Sequence, residues 1–554
     1  MVGLSNGVNC NLKGHTIMAS LSESGTYILA YDLGTTGNKS CLYRISDKIE
    51  LIDAYLVEYP LYTTDDGGAE QKADDWWNAV CSSTQEIIKR TSVRPEQIKG
   101  ITFSSQMQGS VVVDKEGKAL RNPMTYMDQR STAQIAKYLY HGFPRIDNWN
   151  ALIGLKSLYI TGGLAATPKD PLWKYLWVKD NEPEIFNKVY KWLDVKDYLT
   201  LQCTGKYSMT YDSAHLTWIF DTRRGKMKWS ESLCKQFDIN MEHLPPVIKS
   251  TDVIGGLTQQ AADRMGLIPG IPVFGGGGDT FLTSIGSGCL DRYDTHIYIG
   301  TSGWVASNVD KRMVDINNFI ASILGAIPGE YVYTAEQETS GICLQWVRDH
   351  LALDEIGVYL DAKHVADKND EYKSLYEFLN QVVEQTQPGS GGVIFTPWLH
   401  GNRSPREDPH ARGMFFNLSL NTGKRQMIRS VLEGVAFHKR WMLEAIEKRI
   451  PYRENIRFVG GGARSDVWCQ IMADVTGRNI ETIKNPQSAG TNGATIVCAV
   501  GLGLIKSFKD AKPFIPTEKV YRPGTEYKKI YDRSFAVFKE LYEKNKKLFR
   551  MMNG

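Results

Sequence analysis

Apolar residues along this chain occur in short runs that end in glycine, threonine or aspartate, a pattern typical of an α/β protein. The run Tyr27–Tyr31 leads into a glycine turn, and a second strand-length run covers 39–45. A third run lies near Leu51–Tyr59, followed by helical spacing of apolar residues over Ala73–Arg90 and by a short run at Ile98–Phe103. Three strands, a helix and another strand predict a mixed sheet with helices packed on it.

The second half of the chain has a similar order. An apolar run begins near Thr295, and Gln426–Lys448 is predicted to be a long helix with one apolar face. Asn455–Val459 predicts a strand that ends at a glycine turn, and Asp466–Val475 predicts the helix that follows. The boundary between two large domains is therefore expected around 285–295, as the length of 554 residues also favours.

One short loop occurs twice, 266 residues apart. Gly34-Thr35-Thr36-Gly37 and Gly300-Thr301-Ser302-Gly303 each follow an apolar run. Each copy predicts a strand, a tight turn and a second strand, and such a turn offers backbone N–H groups and hydroxyls to an anion such as phosphate. Asp32 stands two residues before the first copy, where the second has Tyr298. A carboxylate beside a phosphate loop makes sense mainly when a metal ion lies between them.

Composition and charge narrow the function classes. With 65 basic and 62 acidic residues the net charge is +3, which gives no reason to expect nucleic acid or a membrane as partner. Nine cysteines without a C-x-x-C pair favour a reducing compartment, and we predict a cytoplasmic protein. Residues 1–25 lack the pattern of a signal peptide and are predicted to be a flexible extension.

Asp279 is the strongest single candidate for chemistry. It follows four glycines at the end of an apolar strand, so a substrate could approach the backbone closely there. The carboxylate could accept a proton from a substrate hydroxyl. Alone, it would more often be a helix cap or turn residue. The two phosphate loops favour the catalytic interpretation, because phosphoryl transfer needs a base to deprotonate or orient the attacking hydroxyl.

A third glycine turn, Gly460-Gly461-Gly462-Ala463-Arg464-Ser465, lies between a predicted strand and helix. It could belong to a dinucleotide-binding fold, with Glu481 about 20 residues on. It could equally be a flat surface for adenosine, or simple strand–helix packing. No Walker A loop is present, because none of the Gly-Lys pairs is followed by Ser or Thr.

Polar residues suited to a polyhydroxylated ligand cluster in the first half. Gln106, Met107 and Gln108 follow the run Ile98–Phe103, and Asp128 and Arg130 form a second group. Amides, a carboxylate and a guanidinium together donate and accept hydrogen bonds toward hydroxyls. The alternative for each group is a salt bridge and loop caps.

Taken in order, these motifs resemble the FGGY family of carbohydrate kinases over about 27–503. Asp32–Gly37, Gly277–Asp279, Gly300–Gly303 and Gly460–Ser465 are similar to the family's first phosphate, catalytic, second phosphate and adenosine motifs. Parts of Pro171–Asp180 and Gly401–Gly413 also resemble family segments. The resemblance implies two ribonuclease-H-like domains of the actin/hexokinase/Hsp70 type with a cleft between them. It places a sugar-binding domain at 26–289 and a nucleotide-binding domain at 290–554.

The resemblance also implies roles for residues, with ATP and Mg²⁺ as cofactors. Asp279 would be the catalytic base and Asp32 the metal ligand. The sugar would contact Gln106, Met107, Gln108, Asp128, Arg130 and Asp279. ATP would contact Gly34, Thr35, Thr36, Lys39, Gly300, Thr301, Ser302, Gly461, Gly462, Ala463 and Ser465. Xylulokinases are the most similar members, but they carry His at the position of Gln108 and Trp at that of Tyr126.

The expected function is an ATP-dependent kinase of a ketopentose, with D-xylulose to D-xylulose 5-phosphate favoured. Kinases of ribulose, ribitol, erythritol, glycerol or gluconate are the alternatives within the family. An actin- or Hsp70-like ATP-binding protein without kinase activity, and a dinucleotide-dependent oxidoreductase, are alternatives of other classes. The expected partners are a small sugar or polyol and ATP, and a homodimer is left open.

Overall fold

The computed structural model describes residues 25–146, 149–351 and 381–554. The predicted flexible extension at 1–25 therefore lies, apart from Gly25, outside the described residues. Within them the chain forms two large mixed sheets, one in each half, as the sequence pattern predicts.

The first sheet has seven strands in the order β5-β6-β4-β1-β2-β3, and β7 also pairs with β4. Their bounds are β1 Thr26–Leu33, β2 Gly37–Ile45, β3 Ile49–Glu58, β4 Ile98–Ser105, β5 Val253–Gly256, β6 Pro272–Phe274 and β7 Gly277–Gly278. β1 pairs antiparallel with β2 and parallel with β4. β1 is buried along most of its length, because it lies in the middle of the sheet with packing on both faces.

Nine helices of the first half pack around this sheet in the described part of the chain. They are α1 Ala73–Thr91, α2 Thr132–Tyr138, α3 Ala151–Thr161, α4 Pro171–Asn181, α5 Pro183–Phe186, α6 Val195–Thr204, α7 Tyr211–Leu216, α8 Glu231–Gln236 and α9 Gln259–Met265. The prediction for α1 ends one residue before the observed helix. Acidic residues in its first turn and basic ones in its last favour this segment as a helix, since both complement the helix dipole.

The second sheet has eight strands in the order β10-β11-β12-β9-β8-β13-β14-β15. Their bounds are β8 Thr295–Ile299, β9 Gly303–Val309, β10 Val314–Asp315, β11 Ile320–Leu324, β12 Tyr331–Gln337, β13 Asn455–Val459, β14 Asn479–Ile483 and β15 Thr517–Tyr521. β8 pairs antiparallel with β9 and parallel with β13, so it repeats the position of β1 in the first sheet.

Six further helices complete the described structure. They are α10 Asp279–Gly286, α11 Ile342–His350, α12 Lys424–Ile446, α13 Asp466–Thr476, α14 Ala489–Gly501 and α15 Lys528–Asn553. The apolar face predicted for α12 is buried in the core of the second half. The terminal region predicted as helical from 507 is helical from Lys528, after the strand β15.

Helix α14 connects the two halves. Although it comes late in the chain, it packs against β1 and β4 of the first sheet and against α10. A side chain on Gly493 would overlap the backbone of Leu282 and Gly286, so glycine lets the two helices cross in close contact. The sheets lie on either side of residue 290, while the exact division into 26–289 and 290–554 stays a prediction.

No helix among residues 25–146, 149–351 and 381–554 is long and apolar enough to cross a membrane. The eight described cysteines are all buried and free of disulfides.

Candidate active site

Both repeated loops form the predicted hairpins. In the first, Leu33 and Asn38 are the last paired residues, and Gly34 donates its N–H to the carbonyl of Gly37 at 3.0 Å. In the second, Ile299 pairs with Gly303, and Gly300 donates to the carbonyl of Ser302 at 3.0 Å. Each sheet thus contains one tight hairpin turn, with 34–37 between the last paired residues in the first and 300–302 in the second.

Asp32 and Asp279 come together at one edge of the first sheet. Strands β1 and β7 flank β4, and both pair with it in parallel. Asp32 and Gly277 both lie opposite Ser104, so the two strands end at the same level on either side of β4. Asp279 follows as the first residue of α10. Because the carboxyl ends of parallel strands lie at the same edge of a sheet, both aspartates lie near that edge.

Burial raises the pKa of Asp279 to about 8, with the negative charge of Asp32 as the next cause. The charge of Glu336 from the second sheet acts in the same direction, and a hydrogen bond from the N–H of Thr280 opposes it. A carboxyl group whose pKa lies near neutral pH suits proton transfer to and from a substrate.

Asp212 supports the turn that carries Asp279. Its Oδ2 accepts the N–H of Gly278 at 2.7 Å, and its other oxygen accepts the hydroxyl of Thr210. Asp212 is itself buried on the short helix α7. Sequence reasoning missed it, because a single aspartate on a short helix carries no recognisable spacing.

Asp32 also lies at the N-terminal end of α14. Its Oδ2 is 3.3 Å from the position that a Cβ on Gly490 would take. The N-terminus of a helix favours a negative charge. No group of three or more His, Cys, Asp or Glu suited to hold a metal occurs in the described residues. A single carboxylate such as Asp32 suits Mg²⁺, which keeps several waters and is bound by one or two carboxylates together with phosphate oxygens.

The glycine turn at 460–465 lies directly beside the second hairpin. A side chain on Gly462 would collide with Ile299, and Gly460 has φ +92°. Ser465, predicted to contact ATP, caps α13 by accepting the N–H of Trp468 at 3.2 Å. The segment Ser340–Ile342 braces the same hairpin by donating three backbone N–H groups to the carbonyls of Gly300 and Thr301.

Met107 and Gln108 line the cleft. Their contact with a sugar stays a prediction. Gln108 has the left-handed φ of +61° and donates to Asp170 at 3.3 Å. Lys174, fully buried, holds this loop by donating to the carbonyls of Gln108 and Thr125 at 2.8 and 2.7 Å. Burial lowers the pKa of Lys174 to about 7.

Gln106 supports the first hairpin from beneath. It is buried and donates to Gln71 at 2.8 Å, and Gln71 in turn donates to the carbonyl of Thr35 at 2.7 Å. The hydroxyl of Thr35 donates to that of Tyr126 at 3.2 Å. The phosphate loop is thereby tied to both sugar-side segments.

Asp128 and Arg130 form an ion pair behind the wall of the cleft. Asp128 is fully buried and accepts from the N–H of Ala69 at 2.9 Å and from Arg130 at 2.6 Å. Arg130 also pairs with Glu70 and stacks over Trp177. The geometry favours a supporting role for both residues. Their direct contact with substrate stays a prediction.

Lys39 likewise has a partner within the chain. Its Nζ donates to the carbonyl of Gln487 at 2.6 Å, just before α14. It links the first hairpin to the second half of the chain, and its contact with ATP stays a prediction.

The cleft has a volume of about 980 Å³ and is lined by residues of both halves. Its charged residues include Lys169 and Arg403, which pair with Glu338 at 3.0 Å and Glu336 at 2.8 Å. The pair of Lys169 and Glu338 crosses from one half to the other. Asp170 and Glu407 also line the cleft, and burial raises the pKa of Glu407 to about 7. Lys169, Glu336 and Glu338 lie outside every motif that the sequence singled out.

Two mixed sheets, each with one hairpin turn, and an aspartate pair at the edge of the first sheet define a two-domain fold of the ribonuclease-H-like ATPase class. The family models for the N-terminal and C-terminal domains of FGGY carbohydrate kinases match residues 27–286 and 296–502. The chain belongs to the FGGY family of carbohydrate kinases and is a sugar-kinase phosphotransferase.

The relatives of this chain are named for different sugar substrates. The chain is 27% identical to the xylulose kinase of Bacillus subtilis (strain 168) over 523 residues, which is 94% of this chain and 98% of the relative. It is 28% identical to the gluconokinase of the same strain over 515 residues, 93% and 95% of the two chains.

The solved structures similar to this chain likewise include both gluconate and xylulose kinases. The gluconate kinase from Lactobacillus acidophilus superposes with a TM-score of 0.79 at 25% identity, covering 96% of this chain and all of the other. The ligand-bound xylulose kinase from the same organism also has a TM-score of 0.79 at 25% identity, covering 94% and 98%.

Proposed function

We propose that this protein transfers the γ-phosphate of ATP to a hydroxyl of a ketopentose, with D-xylulose to D-xylulose 5-phosphate best supported. The observation that carries the proposal is the position of Asp279. It lies beside Asp32, at the sheet edge from which the first hairpin also extends. A base so placed can serve an acceptor hydroxyl, whereas an ATP-binding protein without kinase activity has no need of one.

The residues divide the work as follows. When bound, MgATP supplies the transferable phosphoryl group and part of the charge neutralisation. Asp279 accepts the proton of the sugar hydroxyl while that oxygen bonds to the γ-phosphorus, and the bond from the γ-phosphorus to the bridging oxygen of ADP breaks. Asp32 would hold the metal, and backbone N–H groups of the two hairpin turns would hold the phosphates.

The charge of the cleft supports a neutral acceptor. Two of the cations that line it, Lys169 and Arg403, are paired with glutamates, and Arg412 donates to the backbone carbonyls of Pro409 and Ala411. Asp170 and Glu407 add further acid groups. Hydroxyls of a neutral sugar can donate to these oxygens. A carboxylate on the acceptor would meet a site in which acidic groups outnumber basic ones.

Gluconate is the second candidate, because named gluconate kinases are about as similar to this chain as xylulose kinases are. For gluconate, Arg412 could pair with the carboxylate of the acceptor, or Lys169 or Arg403 would exchange its glutamate partner for it.

A coupled assay of ADP release over D-xylulose, D-ribulose, ribitol, erythritol, glycerol and D-gluconate tests the proposal. The highest kcat/KM is expected with D-xylulose, and a higher value with gluconate would overturn the choice of sugar. ADP release that no acceptor raises above the ATPase background would overturn the kinase. The variant Gln108→His, which restores the xylulokinase residue, is expected to change the ratio of kcat/KM between sugars and leave the KM for ATP unchanged.

The cytoplasmic location and the homodimer also stay predictions. Fractionation of cells and size-exclusion chromatography of the full chain test them.

A further inference from the structure

A lysine without a counter-charge lies beneath the second hairpin. Lys439, on α12, is fully buried, and its Nζ has no hydrogen-bond partner among the described residues. A side chain on Gly303 would collide with this nitrogen. The amine therefore lies directly under the residue that closes the turn Gly300–Gly303.

A second polar atom faces the same point. The hydroxyl of Ser340 is also buried without a partner, and it lies 2.8 Å from where a Cβ on Gly303 would be. The N–H of Ser340 meanwhile donates to the carbonyl of Thr301 at 3.1 Å. The backbone of Ser340 thus holds the turn while its side chain shares a small polar site with Lys439.

Among residues 25–146, 149–351 and 381–554, no negative charge is found to act on Lys439. Cys343 of α11 is the titratable group that acts on it, and burial raises the pKa of that thiol to about 12, so the thiol stays neutral. From β12, Gln337 offers only a neutral amide. On α12 itself Arg429 and Glu433 pair with each other, and Arg440 pairs with Glu444 and with Asp532 of α15. Burial accordingly lowers the pKa of Lys439 well below its usual range.

A purely structural lysine would look different, and the chain contains one for comparison. Lys174 is equally buried, but it donates to two backbone carbonyls and lies near Asp128, Asp170 and Asp194. Lys439 has neither kind of partner. A buried amine without partners costs stability, so its presence beneath a phosphate-binding turn calls for a charge that arrives from outside.

We infer that Lys439 is a nucleotide-positioning residue, which becomes charged when the phosphates of ATP occupy the second hairpin. The inference rests on the proposed function, since it needs the nucleotide at this turn. Lys439 does not touch the nucleotide. Its ammonium group attracts the phosphates across the thin backbone of the turn and takes one proton from solvent as they bind. Ser340 accepts a hydrogen bond from the charged amine.

Isothermal titration of Mg-ADP at pH 8, in two buffers with different ionisation enthalpies, tests this. Wild-type protein is expected to take up a fraction of a proton more than Lys439→Met on binding, because any proton that Asp279 exchanges is common to both proteins. Lys439→Met is expected to bind about tenfold more weakly, from the loss of one charge near the phosphates. Lys439→Arg, which stays charged, is expected to recover affinity and to show the same proton balance as Lys439→Met. Equal uptake in the wild type and Lys439→Met, or equal affinities, would overturn the inference.

Two controls separate the possible failures. Thermal melting should show Lys439→Met folded and at least as stable as the wild type, because an unpaired buried amine has been removed. If Lys439→Met does not fold, the variant Ser340→Ala is measured in its place. An affinity for Mg-ADP and a proton uptake equal to those of the wild type would then overturn the inference. A wild-type chain that binds no Mg-ADP would overturn the proposed function as well. A wild type that binds while Lys439→Met behaves identically would overturn only the role of Lys439.

Discussion

Asp32 and Asp279 leave the first sheet at the same edge, on two strands that flank β4, and the charge of Asp32 helps to raise the pKa of Asp279. The two residues are 247 positions apart in the chain. Their proximity brings the proposed metal-side carboxylate and the proposed base into one site. A metal ion near Asp32 would offset the charge of that carboxylate and relieve the repulsion that disfavours ionised Asp279. The two carboxylates would then have different tasks.

Replacing Asp279 by Asn should lower kcat with the best sugar by about 10²–10⁴-fold, since a general base contributes on that scale. Steady-state kinetics at saturating ATP measure this. The exposed Asp263→Asn is the matched control and should leave kcat unchanged. A kcat for Asp279→Asn within about threefold of the wild type would contradict the role.

The same variant should be more heat-stable than the wild type at high pH. The pKa of Asp279 is higher in the folded chain, about 8 against an ordinary 3.8, so the folded state favours the protonated form. Ionised Asp279 therefore costs stability, increasingly from about pH 4 to 8. Melting curves of the two proteins should coincide near pH 4 and separate as the pH rises. A constant difference in Tm would mean that the effect does not come from titration of Asp279.

Asp32→Asn should raise the Mg²⁺ concentration needed for half-maximal activity, because one negative charge at the metal side is lost. A titration of activity with Mg²⁺ at fixed ATP measures this. The variant should also move the acid limb of the kcat/KM profile to lower pH, since the charge of Asp32 contributes to the raised pKa of Asp279. An unchanged Mg²⁺ titration would refute the metal assignment.

Arg130→Gln should act mainly on stability. It leaves the fully buried carboxylate of Asp128 without its ion pair, a loss that typically costs about 3–5 kcal/mol. The double variant Asp128→Asn/Arg130→Gln should recover part of the Tm, because no buried charge is then unpaired. An unchanged Tm together with a tenfold higher KM for the sugar would instead establish direct contact with substrate.

Much of the fold could be predicted from the chain itself, because local patterns determine it. The period of apolar residues predicted β1, α1, α12 and β13 to within a few residues, and the two Gly-Thr-x-Gly turns predicted both hairpins. Glycines before Asp279 pointed to the turn where the base lies. These features can be predicted from the sequence because each depends on residues only a few positions apart.

Only the tertiary structure decided which polar side chains face the cleft. Gln106, Asp128 and Arg130 carry the same chemistry as Gln108, yet long-range partners such as Gln71 and Glu70 bind them behind the wall. Lys439 and Gly303 are 136 positions apart in sequence. Lys439 lies under Gly303 because of how α12 packs against the second sheet. The sequence by itself thus determined the two hairpins and the turn that carries Asp279, the proposed base. The choice between a contact with ligand and a contact within the chain depended on packing between distant segments, which no local pattern records.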